Sequence, residues 1–295
     1  MRDHPQLKAY FALAAVCFFW GTTYLGIRMA LESVSVAALV SSRFLMAGAI
    51  LLVAAKVMGA ALPRGRELWL TALNGLLVLG IGNTCLAVAE LWIPSGLAAL
   101  FVTISPFWMV GTEALVPGGE KLHGPTIGGM LIGLAGAAIL VLRSGAGEGG
   151  GMITAGFLVL QLGSFGWSLG SILQRRQTSA IHPVVSGAIQ QLATGVVFIV
   201  PALLMPRPHE IQTRSVWAVL YLVVFGSIVG YSSYIYVMSK LPVAVVSIYN
   251  YVNPVVAVCL GWLFYREPFG WREAAAMVVI FIGVAIVKAN TAKKH

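Results

Sequence analysis

The residues able to do chemistry in this chain are few. Its single aspartate, Asp3, and its five histidines all lie outside the apolar runs. The charged residues inside or bordering those runs are Arg28, Glu32, Arg43, Glu90 and Glu113, and none falls at the centre of a run. Aspartyl proteolysis would need two acids at depth, and a serine–histidine pair would need a deep histidine. Metal ligation wants clustered His, Cys, Asp or Glu, but here the three cysteines and the glutamates are scattered. No glycine-rich phosphate loop is present. The inventory is not that of an enzyme, and it calls for no cofactor and no metal. What the apolar runs do carry is aromatic, amide and hydroxyl: Trp20, Tyr24, Asn83, Thr103, Trp167, Tyr231, Tyr234, Tyr249 and Asn253. Rings with polar tips beside small polar groups suit a pocket for an amphiphilic solute. An aromatic face can also hold an ammonium group. The competing reading is ordinary helix packing, and for Trp69, Trp217 and Trp271, at run ends, anchoring at a membrane interface.

Two prolines accompany these residues, Pro106 in LFVTISPFWMV and Pro254 in SIYNYVNPVVA. Proline has no backbone N–H, so in a helix the carbonyl four residues earlier loses its partner. The carbonyls of Val102 and Asn250 are therefore predicted to be available to a side chain, a water or a substrate amine. A simple kink that fits the helix to its neighbours is the alternative.

The elements that must position these residues are membrane spans. The chain has 295 residues, 59% hydrophobic and 10% charged, against roughly 25% charged in soluble domains. A span needs about 20 mostly apolar residues. Ten runs qualify: 8–31, 36–58, 67–90, 94–116, 124–142, 152–174, 183–205, 215–239, 242–265 and 271–289. The net charge of +9 reads as orientation, since the basic residues cluster at run ends, and not as nucleic-acid binding. With a cytoplasmic N-terminus, twelve Lys and Arg fall in inner segments and six in outer ones, with Arg43 inside a span. That bias predicts both termini in the cytoplasm. No cleavable leader is evident.

The chain is written twice. Pro94 and Pro106 are spaced like Pro242 and Pro254, and on that alignment Trp69 meets Trp217 and Gly82 meets Gly230. Shifted by one, Trp20 meets Trp167. An acidic loop follows each second proline, with Glu120 and Glu267. The predicted units are 1–143, a glycine-rich linker 144–151, and 152–295, each unit with five spans. Five is odd, so the second copy enters the membrane from the opposite side, as in many secondary transporters. The stretches FFWGTTYLGIR, SSRFLMAG, PSGLAALFVTISPFW and YVNPVVAVCLGWLFYREP resemble the EamA module of the drug/metabolite transporter superfamily, and the resemblance covers nearly the whole chain. It implies an all-α inner-membrane protein of ten helices in two inverted repeats. It also implies export of amino acids or other small metabolites. Sugar-phosphate or nucleotide-sugar antiport and export of organic cations are the alternatives.

Trp20, Leu79, Pro106, Trp167, Ser227 and Pro254 fall near the centres of their runs, so a midplane cavity between the copies is expected. With no charge at that depth, the cavity is expected to be neutral and aromatic. Arg43, Glu90, Pro106 and Pro254 are assigned to gating or structure. Glu90 or Glu32 is expected to pair with Arg43 or Arg28, either as an outer gate or as a static tie. Gln190 stands where the second copy would repeat Arg43. The partners are a small solute and the bilayer, with no nucleic acid, and a monomer is expected to suffice.

Overall fold

The computed structural model describes residues 5–119, 122–144, 150–177, 181–205, 210–241, 243–246 and 248–292, and all regular structure among them is helical. The helices are α1 (Pro5–Ala30), α2 (Val36–Val57), α3 (Gly65–Glu90), α4 (Ser95–Leu115), α5 (Gly124–Ser144) and α6 (Gly150–Arg176). They continue with α7 (Pro183–Leu204), α8 (Thr213–Lys240), α9 (Tyr249–Tyr265, after a helical turn at Val243–Val246) and α10 (Trp271–Ala292). Each apolar run read from the sequence falls on one of these helices. Among the described residues seven are long and apolar enough to cross a membrane: α1 to α4 and α6 to α8. Helix α5 contributes a shorter apolar stretch, Gly124–Ile139, and α9 and α10 fall outside that set. Asp3, Glu120, Pro242 and most of the glycine-rich linker, 145–149, lie outside the described residues.

Local chemistry sets several helix ends. The Ser35 hydroxyl caps α2 by accepting from the Ala38 N–H at 3.3 Å. Pro183 opens α7, where its missing N–H costs nothing. Helix α9 ends on Arg266 in the left-handed conformation, φ 51°, unusual for a residue with a side chain. That turn folds Glu267 back so that its N–H donates to the Gly261 carbonyl at 3.2 Å. Trp69, Trp217 and Trp271 are exposed near the starts of their helices, as interface anchors would be.

The packing repeats itself. Helices α2 and α7, α4 and α9, and α5 and α10 each pack against their own counterpart. The contact of α1 with α8 is matched by α6 with α3, α1 with α9 by α6 with α4, and α2 with α8 by α7 with α3. The match extends to single residues. A methyl at Gly48 would lie 2.8 Å from Leu192, and one at Gly195 would lie 2.7 Å from Leu45. Small residues allow such close approach where lipid supplies no hydrophobic force between helices.

The two halves differ where their helices are irregular. Helix α4 breaks at 103–104 into Ser95–Val102 and Ser105–Leu115, with Pro106 at the start of the second piece. Helix α9 runs unbroken through Pro254. Helices α3 and α8 each contain a wider, π-helical stretch, Leu76–Ile81 and Leu222–Tyr231. Such stretches are rare and frequently mark functional sites.

Candidate functional site

A cavity of about 100 Å³ opens where α1, α2, α3, α4, α6, α8 and α9 converge. Trp20, Tyr24, Asn83, Thr103, Trp167, Tyr231, Tyr249 and Asn253 line it, with Pro254. Two of the residues predicted to meet there do not reach the wall. Tyr234 is buried behind it, packed on Trp20, and Pro106 is buried outside it. The wall also holds Arg43, beside Ser227 and Gly226 of the π stretch in α8. The expectation of a neutral cavity is therefore corrected. A residue two turns into α2 faces the hollow because the reciprocal Gly48–Leu192 and Leu45–Gly195 contacts fix that helix's rotation.

Trp20 is the centre of the aromatic cluster. Its ring lies 5.4 Å from Trp167, 5.3 Å from Tyr249 and 5.0 Å from Tyr234, centroid to centroid. Its indole N–H donates to the Gly226 carbonyl at 3.1 Å. Each tryptophan leans on a glycine of the other half. A methyl at Gly230 would lie 2.6 Å from Trp20 Nε1, and one at Gly82 would lie 3.0 Å from the Trp167 ring. The repeated Trp and Gly of the sequence thus form one crossed contact made twice.

One of the two backbone acceptors predicted from the prolines, at Val102, is taken up within the protein. The Ser105 hydroxyl donates to the Val102 carbonyl at 2.6 Å, so that acceptor is not left open. Asn253, with its amide oriented to donate, bonds the Tyr249 carbonyl at 3.2 Å and the Cys17 carbonyl at 2.8 Å, tying α9 to α1.

The predicted ion pairs form differently. Arg28 pairs with Glu267 at 3.2 Å, and Glu32 pairs with Arg214 at 3.4 Å. Arg43 donates from Nε to Ser227 Oγ at 2.7 Å and from Nη1 to Asn83 Oδ1 at 3.4 Å, and both partners are neutral. Glu90 is 6% exposed, and among the described residues neither carboxylate oxygen has a hydrogen-bond partner. Among the described residues neither Arg43 nor Glu90 has an ion-pair partner. At the other end of the bundle Arg176 pairs with Glu113 at 2.9 Å, about one third exposed on each side.

Glu267 does more than pair with Arg28. One oxygen accepts from the Ser95 N–H at 2.9 Å and the Ser95 hydroxyl at 2.8 Å, and the other accepts from the Gly96 N–H at 2.9 Å. A carboxylate at the N-terminus of α4 satisfies orphan donors and complements the helix dipole. Around it Arg28 and Arg214 lie over the Tyr265 ring, whose hydroxyl donates to Glu32. The cluster lies one helical turn beyond the cavity wall, since Arg28 follows Tyr24 on α1 and Ser95 precedes Ala99 on α4 by about one turn. The sequence signalled the acid, in a loop that recurs in both halves, but not its target, because the contact joins residues 172 apart.

Comparison with known proteins agrees with this arrangement. The model of the EamA-like transporter family matches residues 7–142 and 154–289. The chain is 36% identical over 290 residues to the protein named "Uncharacterized inner membrane transporter YedA" of Escherichia coli (strain K12), covering 97% of this chain and 92% of that one. It is 28% identical over 269 residues to the "Probable terminal-alkyne amino-acid exporter" of Streptantibioticus cattleyicolor, covering 88% and 86%. A solved crystal structure shares the fold at a TM-score of 0.70 and 22% identity, covering 97% of this chain and 98% of its own.

Proposed function

Because the chain belongs to the EamA-like transporter family, and is accordingly a multi-pass membrane protein, we propose that it exports small amphiphilic metabolites, amino acids or related compounds, by alternating access. In this reading ten helices cross the bacterial inner membrane as two inverted five-helix copies, with both termini in the cytoplasm. The cavity between the copies holds the solute. The two copies exchange conformations, so the hollow opens to one side and then to the other. No nucleotide hydrolysis takes part.

One observation supports the reading: an aromatic cavity walled by both copies, with the Arg28–Glu267–Ser95 cluster tying the copies together next to it. A channel would need a continuous polar lining, whereas rings and aliphatic chains interrupt the polar side chains of this wall. A site for phosphorylated sugars would need several basic groups to balance the phosphate, and among the described residues the wall holds only Arg43. The amino-acid class is supported by the name of one relative.

The test is counterflow in proteoliposomes preloaded with unlabelled amino acids. Labelled amino acid should accumulate, saturate and be competed. Accumulation of a phosphorylated sugar or an organic cation instead would replace the solute class. Uptake that rises linearly without saturation would remove the carrier mechanism.

A further inference from the structure

We propose that Arg43 is the carboxylate receptor of the cavity, so that the solute binds with its acid group on α2 and α8 and its apolar part on Trp20. The assignment deepens the transporter reading and rests on it.

Three features carry it. First, Arg43 is 5% exposed, yet among the described residues no carboxylate lies within ion-pair distance of it. A buried charge in a membrane bundle is almost always paired, and leaving one without a counter-charge is costly. Its partners are a hydroxyl at 2.7 Å, an amide oxygen at 3.4 Å, the second too long to be strong, and the Phe44 ring 5.0 Å from Cζ, none of them a counter-ion. A guanidinium has five donors in a fork that matches a carboxylate, and two neutral contacts leave much of that fork unused. The group also faces the cavity. The missing counter-charge is therefore supplied by what enters.

Second, the π stretch of α8 seats this cation next to the aromatic surface. Ser227 Oγ accepts from Arg43, and the adjacent Gly226 carbonyl accepts from the Trp20 indole. A methyl at Gly226 would lie 2.8 Å from Arg43 Nη2, so the glycine makes room for the guanidinium. An acid bound to Arg43 would extend directly over Trp20.

Third, the repeat is broken here. Gln190, the counterpart of Arg43, is fully buried and satisfied within the protein. Its amide nitrogen donates to Ser186 Oγ at 2.8 Å and to Gln174 Oε1 at 3.3 Å, and its oxygen accepts from the Tyr231 hydroxyl. Two copies that exchange conformations have reason to keep their packing residues alike, as Gly48 and Gly195 do. A solute with one charged end has no such symmetry, and a one-sided cation fits a one-ended ligand.

The experiment compares acids with their amides. Purified protein is titrated with L-leucine and leucinamide, L-phenylalanine and phenylalaninamide, and 3-phenylpropionate and its amide, with inorganic phosphate as a competitor. Binding to the wild type, Arg43→Gln and Arg43→Lys is read by tryptophan fluorescence. The wild type should favour the acid by about 10- to 100-fold, the range of a hydrogen-bonded charge. Arg43→Gln should bring that ratio near one while amide affinity is retained, and Arg43→Lys should keep part of it. Without ligand, Arg43→Gln should melt no lower than the wild type, because it removes an uncompensated buried charge. A merely structural arginine would lower the melting temperature and leave the acid-to-amide ratio alone. An unchanged ratio in folded Arg43→Gln, no acid bound by the wild type, or tighter binding of phosphate than of any acid would each overturn the assignment. Counterflow of the same compounds separates the two ideas. Carriage of amides but not acids sinks the receptor and leaves the carrier, while acid binding without any counterflow sinks the carrier and leaves the receptor.

Discussion

Trp20 joins the two halves through one side chain, resting on Gly230, donating to Gly226, and touching Trp167, Tyr234 and Tyr249. Each aromatic contact of this kind contributes about 0.5–1.5 kcal/mol beyond its buried area. Trp20→Ala removes several at once, at the boundary between the packed core and an existing hollow. Flux through Trp20→Ala vesicles should fall by about tenfold or more, and Trp167→Ala should fall in the same direction, while detergent-purified protein still elutes as a single folded peak. Normal flux in both variants would place the solute elsewhere. The tryptophans were legible in the sequence because each half keeps the residue and its glycine partner, Gly230 or Gly82. Arg43 was legible as a buried charge but not as part of the wall. Its direction depends on the rotation of α2, and that is set by contacts with Leu192 and Gly195 in a helix of the other half.

The irregular elements are the break in α4 and the π stretches of α3 and α8. The π stretches of α3 and α8 leave no residue signature, since widening a turn shifts hydrogen-bond register without requiring any residue type. Leu79 and Ser227 do line one cavity, but the winding around them was not legible. The proline signal was legible as a defect and only half legible as geometry. The same residue type accompanies a break in α4, where Ser105 takes up the Val102 carbonyl, and leaves α9 continuous. Two predictions belong to this scale. Gly230→Ala would press a methyl to 2.6 Å from the Trp20 ring, against the α8 backbone, and overpacking of this kind costs about 1–3 kcal/mol. Reduced flux and a lower melting temperature are expected together, with partial recovery in Gly230→Ala combined with Trp20→Phe. Glu267→Gln keeps the shape of the cluster but removes its charge, and hydrogen bonds to a charged group contribute about 1.5–3 kcal/mol each. Opening at that face should rise by about tenfold or more, read as faster labelling of Leu86→Cys in a background lacking Cys17, Cys85 and Cys259. Unchanged labelling would mean that Glu267 only caps α4.

For the whole molecule, the two ends of the bundle are closed unequally. One is held by a buried carboxylate with three hydrogen bonds and an ion pair, the other by an Arg176–Glu113 pair about one third exposed. Exposed pairs of that kind contribute about 0–1 kcal/mol. In the proposed cycle the Glu267 face is therefore the costlier one to open, because more contacts must be given up there. What drives the exchange follows from the wall. Among the described residues the cavity is lined by no Asp, Glu, His or Lys. A proton carrier needs a titrating group that each side of the membrane reaches in turn. Glu90, the buried acid nearest to that role, is within electrostatic reach of Arg28 and Glu267 but outside the wall. Movement of solute down its own gradient is therefore expected. Counterflow in vesicles of equal solute concentration should keep the same rate when a pH step is imposed across the bilayer. Stimulation by the step would instead assign coupling to Glu90, and it must then vanish in Glu90→Gln. If it persists in that variant, the proton is carried by a group other than Glu90.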